Sequence, residues 1–109
     1  MDDLFDKQTR QLKHAHFLIL YWVTQAEDRK IRYNITNAFD DLKSLGITRT
    51  KQNVVSYVET LAALCFIAVK DESNRKNLYI SSHGARALKL LLTSRQFSYQ
   101  PSAFLEGAP

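Results

Sequence analysis

The chain has 109 residues, 45% of them hydrophobic, with a net charge of +4 and an isoelectric point near 9.3. That length fits one domain, and the single cysteine, Cys65, excludes an intrachain disulfide. The longest apolar run, Phe17 to Val23, is too short to span a membrane.

The acidic start, Met1-Asp2-Asp3-Leu4-Phe5-Asp6, does not read as a signal peptide. With the lone cysteine it leads us to expect a soluble cytoplasmic protein with no membrane partner. A domain this small buries only about two thirds of its unfolded surface, so pairing of two copies would add stability.

The first helix is expected from about Lys7 to Ala26. Phe17-Leu18-Ile19-Leu20 makes its middle apolar nearly all round, as in a central core helix or a dimer contact. Glu27 to Lys30 is a charged loop, and Ile31-Arg32-Tyr33 alternates like a very short strand. A second helix follows, capped by Asn34 or Thr36, with Ile35, Ala38, Phe39, Leu42 and Leu45 as its apolar stripe. Asp40 and Asp41 are expected at its solvent face, and Gly46 ends it.

Thr48 or Thr50 caps a third helix running to about Leu64, with Val54, Val55, Val58, Leu61 and Leu64 inward. Cys65 to Val69 reads as a strand, Asp71 to Lys76 as a polar turn, and Asn77 to Ile80 as the returning strand. Ser81 or Ser82 caps a last helix carrying Ala85, Ala87, Leu88, Leu90, Leu91 and Leu92. Residues 98–109 hold both prolines and read as an irregular or disordered tail.

Charge is unevenly placed. Residues 1–28 have a net charge of −2, residues 29–51 of +4 and residues 70–89 of +3. The two basic stretches coincide with the turn and start of the third helix and with the hairpin. Helix, short strand, helix, glycine turn, helix, two strands, helix is the order of a winged helix-turn-helix: mainly α with a small β-hairpin wing. Residues 1–97 are therefore read as one winged-helix DNA-binding domain.

Three segments strengthen this reading. Leu45-Gly46-Ile47-Thr48-Arg49 looks like the interhelical turn of the MarR family of winged-helix regulators. Val54 to Leu61 looks like its recognition helix. Asp71 to Lys76, followed by Leu78 to Gly84, looks like its wing and the entry to the next helix. The resemblance covers about Ile35 to Leu92 and implies a dimeric, duplex-DNA-binding transcription regulator. The chain departs from the family at Ser56, where many relatives carry an arginine that reaches DNA, and at Cys65, where a glycine usually ends the helix. It is also short for a family whose longer terminal helices build the dimer and a ligand cleft. A small-molecule effector is left open, and a plasmid, phage or mobile-element regulator fits as well.

The candidate DNA-contacting residues are Thr48, Arg49, Thr50, Lys51, Gln52, Asn53, Ser56 and Tyr57 on the third helix. Asn74, Arg75, Lys76 and Asn77 join them at the wing, and Arg32 before it. Arginine pairs with guanine, and glutamine or asparagine with adenine, in two-bond geometry, while cations at the wing grip phosphates. A solvated helix face and an ordinary polar turn are the bland alternatives. His14 and His16, two apart on a helix, point to different faces and cannot share a metal ion. Cys65 reads as a small buried residue, and Tyr21 and Trp22 as core or dimer residues. No cofactor motif or catalytic constellation appears, so an enzyme is not expected. The expected partner is double-stranded DNA, bound by a homodimer joined through the first and last helices. Replication or partition on DNA, and protein–protein docking, are the rival roles of the same fold.

Overall fold

In a computed structural model, which describes residues 3–107, the apolar run of the first predicted helix forms the centre of the molecule. The described elements are α1 (Asp3–Arg10), α2 (His14–Asp28), α3 (Ile35–Ser44), α4 (Lys51–Ala63), β1 (Ile67–Glu72), β2 (Arg75–Ile80), α5 (Ser82–Ser94) and α6 (Ala103–Glu106). The protein is mainly helical, with one two-stranded antiparallel hairpin. No helix among the described residues is long and apolar enough to cross a membrane.

The single first helix expected over Lys7–Ala26 is instead two. The chain turns at Gln11, and Leu12 drops into the core. Lys13 is extended, and its N–H donates to His16 Nδ1 at 2.9 Å, which opens α2. The break lets α1 fold back toward α5. Phe5 then meets Phe66 edge-on at 6.0 Å, while the Arg86 guanidinium lies 4.7 Å from the centre of the Phe5 ring. In α2, Phe17, Leu18, Ile19, Leu20, Trp22 and Val23 are all 0% exposed. The helix packs against β2, α5 and α4.

Asn34 caps α3 by accepting from Asn37 N at 2.9 Å, and the Asn37 side chain returns a bond to Asn34 N. The expected strand at Ile31–Tyr33 shrinks to one bridge, Asn34 to Asn77, with Leu78 N donating to Tyr33 O. The hairpin is longer than expected and its turn shorter. Its pairing runs from Ile67↔Ile80 to Glu72↔Arg75. Only Ser73 and Asn74 remain at the tip, with φ of 53° and 65°, the backbone of a two-residue turn that matches strand twist. Cys65, expected buried and in the strand, is exposed and precedes it.

Asp41 corrects a second expectation. It is 2% exposed rather than solvent-facing. Its carboxylate accepts from Tyr33 OH at 2.6 Å, from Phe104 N at 3.1 Å and from Ser102 Oγ. Burial, then the bond to Asp41, pushes the Tyr33 phenol well above its ordinary range. Two of these donors belong to the segment expected to be irregular or disordered. That segment is tied down instead. Trp22 Nε1 donates to Gln100 O at 2.7 Å, Arg29 to Leu105 O at 2.9 Å, and Leu105 is buried. Only Ala108 and Pro109 of the expected tail lie outside the described residues, as do Met1 and Asp2 at the start.

Three helices end in the same way. After α3, Gly46 N bonds Lys43 O and Ile47 N bonds Leu42 O, with Gly46 at φ 75°. After α2, Lys30 and Ile31 bond Glu27 O and Ala26 O, with Lys30 at φ 58°. After α4, Cys65 and Phe66 bond Ala62 O and Leu61 O, with Cys65 at φ 63°. This double-bonded cap requires a left-handed residue, for which glycine is suited and a side chain costs about 1 kcal/mol. Lys30→Gly and Cys65→Gly should therefore each raise stability by about 0.5–1 kcal/mol, read as a higher urea midpoint. A fall in either variant would refute the strain at that cap.

His16 is buried with its ring edge-on to Tyr57 at 5.1 Å. Burial, then the nearby Lys13 charge, lowers its pKa from 6.5 to about 4. Between those values the unfolded chain binds a proton that the folded chain refuses, so stability rises with pH across that window. The contribution should be complete above pH 6.5, decline as pH falls toward 4, and amount to at most about 3 kcal/mol. His16→Gln, which keeps an acceptor for Lys13 N, should flatten this part of a stability-versus-pH curve; an unchanged slope would show that His16 does not set it.

Candidate nucleic-acid interface

The α3 cap positions the next helix. Gly46 reverses the chain, Ile47 packs against the core, and Thr50 caps α4 by accepting from Asn53 N. Val54, Val58 and Leu61 turn inward and are buried; Val55 and Leu64, expected with them, are half-buried. The opposite face of α4 therefore carries its polar residues outward. Arg49, Thr50, Lys51, Gln52, Asn53 and Ser56 are all exposed.

Three of the sequence-predicted residues are placed differently. Thr48 is 4% exposed, and its Oγ1 accepts from Asn53 Nδ2 at 3.2 Å, so it braces the turn from within. Tyr57 is half-buried against His16. Asn77 is 2% exposed in β2 rather than at the hairpin tip. It donates to Glu72 Oε1 at 2.8 Å, as does Tyr79 OH, while its own Oδ1 is buried with no partner. The bonds from Asn77 and Tyr79 hold the Glu72 carboxylate below its ordinary range, so a fixed negative charge sits at the last pair of the hairpin.

Asn74, Arg75 and Lys76 remain at the exposed end of the hairpin. Lys76 Nζ pairs with Asp71 at 3.0 Å across the two strands. Arg75 has no acidic partner within salt-bridge distance among the described residues. Arg32 is exposed and attracts Glu72, and it shares a hollow of about 290 Å³ with Ser73 and Arg75. The segment before α3 and the hairpin tip thus lie together.

Sequence reasoning missed three residues here. Glu59 and Thr60 are exposed on α4. Glu59 extends the ridge of Gln52 and Ser56 by a further helical step, a periodicity present in the sequence. Thr36 accepts from Lys51 Nζ at 2.9 Å, fifteen residues away, and no local pattern announces that contact. No protein-family model, curated protein or solved structure matches the chain.

Because Thr48 acts from inside the turn, Thr48→Val should cost about 1 kcal/mol of stability through its lost hydrogen bonds. Its effect on any ligand of the α4 face should vanish once the protein is fully folded. Chemical denaturation together with binding measured well below the midpoint separates the two.

Proposed function

We propose that the chain is a winged helix-turn-helix protein that binds duplex DNA as a cytoplasmic homodimer and regulates transcription, as a repressor that occludes its operator. In this reading α4 enters the major groove and the β1–β2 hairpin is the wing on the flanking backbone. One observation supports it above the rest: the cationic start of α4 and the hairpin tip, far apart in sequence, border one hollow beside the first turn of α3. Arg49, Gln52, Asn53 and Ser56 are then the base-reading candidates, and Arg32, Lys51, Arg75 and Lys76 the backbone grips. The proposed role needs no covalent chemistry.

The proposed dimer would use less of the surface than the sequence suggested. The apolar faces of α2 are consumed within the protomer. The outward surfaces of α1 and α5 remain, with Leu4 and Leu92 exposed and Phe5 and Leu90 lining a hollow between the helices. A two-fold dimer would present two copies of α4 to half-sites about one helical turn apart.

Selection from random duplex DNA should enrich a short, two-fold symmetric motif with that spacing. Arg49→Ala and Gln52→Ala should each weaken binding to it about tenfold and relax preference at one base position. Unchanged affinity in both variants would remove α4 as the reading helix, and no binding at low salt would remove the DNA-binding role.

A further inference from the structure

The hollow between α3, α4 and the hairpin has a volume of about 300 Å³. Three elements contribute donors to it: Thr36 from the first turn of α3, Lys51 from the start of α4, and Arg75 and Lys76 from the hairpin. Ile35 and Val55 also line it, and no carboxylate does. Lys51 Nζ is already steered toward this space by its bond to Thr36 Oγ1, which leaves two ammonium protons free. Lys76 is partly neutralised by Asp71; Arg75 makes no salt bridge among the described residues, although it stands opposite Glu72 across the strands. The α3 amides of Ile35 and Thr36, at the positive end of a ten-residue helix, bond to no acceptor among the described residues.

A site with several cationic donors, a hydroxyl, a helix start and no carboxylate in its lining suits one tetrahedral oxyanion. We propose that it seats a single phosphodiester of the DNA backbone, gripped at once by Lys51 of α4 and Arg75 of the hairpin. The inference rests on the DNA-binding reading and deepens it. One phosphate would lock the hairpin and the reading helix in register on the duplex, so the contact positions α4 rather than reading a base. Free phosphate has the same chemistry, and the test separates the two sources.

Fluorescence anisotropy with a labelled duplex, over a range of salt concentrations, tests the shared seat. Lys51→Ala and Arg75→Ala should each weaken binding about five- to tenfold. The slope of log affinity against log salt should fall by about 0.9, the loss of one phosphate contact, in the double variant as well as in the singles. The double variant should bind little worse than the weaker single, and a duplex with one methylphosphonate at the seated position should erase both effects. Circular dichroism checks folding, and Lys51→Arg with Arg75→Lys should keep the slope. Multiplying losses with a slope change near 1.8, or two different sensitive phosphates, would overturn the shared seat while leaving DNA binding intact. Absence of binding to any duplex would overturn the DNA reading itself. Shifts of the Thr36 and Arg75 amides with inorganic phosphate, in that case, would mark a free-phosphate site instead.

Discussion

Most of α2 is closed to water, with only the His14, Tyr21, Thr24 and Gln25 side half-buried and its last turn exposed, and the rest of the fold is arranged to cover its apolar residues. Six of its large apolar side chains are wholly enclosed, each contributing about 1.5–3 kcal/mol relative to exposure. One neighbouring helix could not enclose such a cylinder. β2, α5 and α4 cover part of it, and the C-terminal segment covers more. Trp22 shows why the last step is specific. Its ring is buried, but its indole N–H needs an acceptor, and Gln100 O supplies one. Arg29, just past the end of α2, then bonds Leu105 O. Ser102 and the Phe104 amide satisfy the otherwise costly Asp41 carboxylate. The ordering of the C-terminal segment is thus a consequence of what α2 and α3 leave unsatisfied.

The elements around α2 are joined by tight connections. α2, α3 and α4 close with the same pair of hydrogen bonds, and two of the three use a residue with a side chain in the left-handed region. The last closure is the most constrained. Phe66 follows Cys65 and is buried, and its carbonyl oxygen lies 1.8 Å from where a side-chain carbon on Gly84 would stand. Ser81 binds the same corner, its hydroxyl 2.6 Å from Cys65 O and its N–H donating to Phe66 O. The exit of α4 and the entry of α5 are therefore pinned together at the base of the hairpin.

The cations take the places the core leaves. Inward positions of α4 are filled by valine and leucine, so its charged and amide side chains face out. The hairpin tip has no core to cover and carries arginine and lysine. The hollow they share with α3 arises because the bridge between Asn34 and Asn77 holds the first turn of α3 against β2. The proposed DNA-binding role draws on this convergence more than on total charge, since +4 alone describes many surfaces.

Much of the local structure was legible in the sequence. Asn34, Thr50 and Ser81 cap helices by bonds to amides three residues on. Gly46 ends α3, and the alternation of apolar residues marks the hairpin. These features depend on neighbours in the chain, so residue order is sufficient to determine them. The break at Gln11 to Lys13, the burial of Asp41, the inward turn of Thr48 and Asn77, and the fastening of the C-terminal segment depend on partners many positions away. Asp41 reads as a solvent carboxylate until Ser102 and Phe104 arrive sixty residues later. Lys51 reads as a DNA-contact candidate on its own helix, but its bond to Thr36 and its place beside Arg75 at one hollow appear only in the fold. Residue order alone was enough for the caps and core stripes of α3, α4 and α5 and for the presence of a hairpin, because capping bonds and periodicity are local. Which polar groups are enclosed and which cations converge was settled only on folding, because both follow from packing distant segments around the apolar faces of α2.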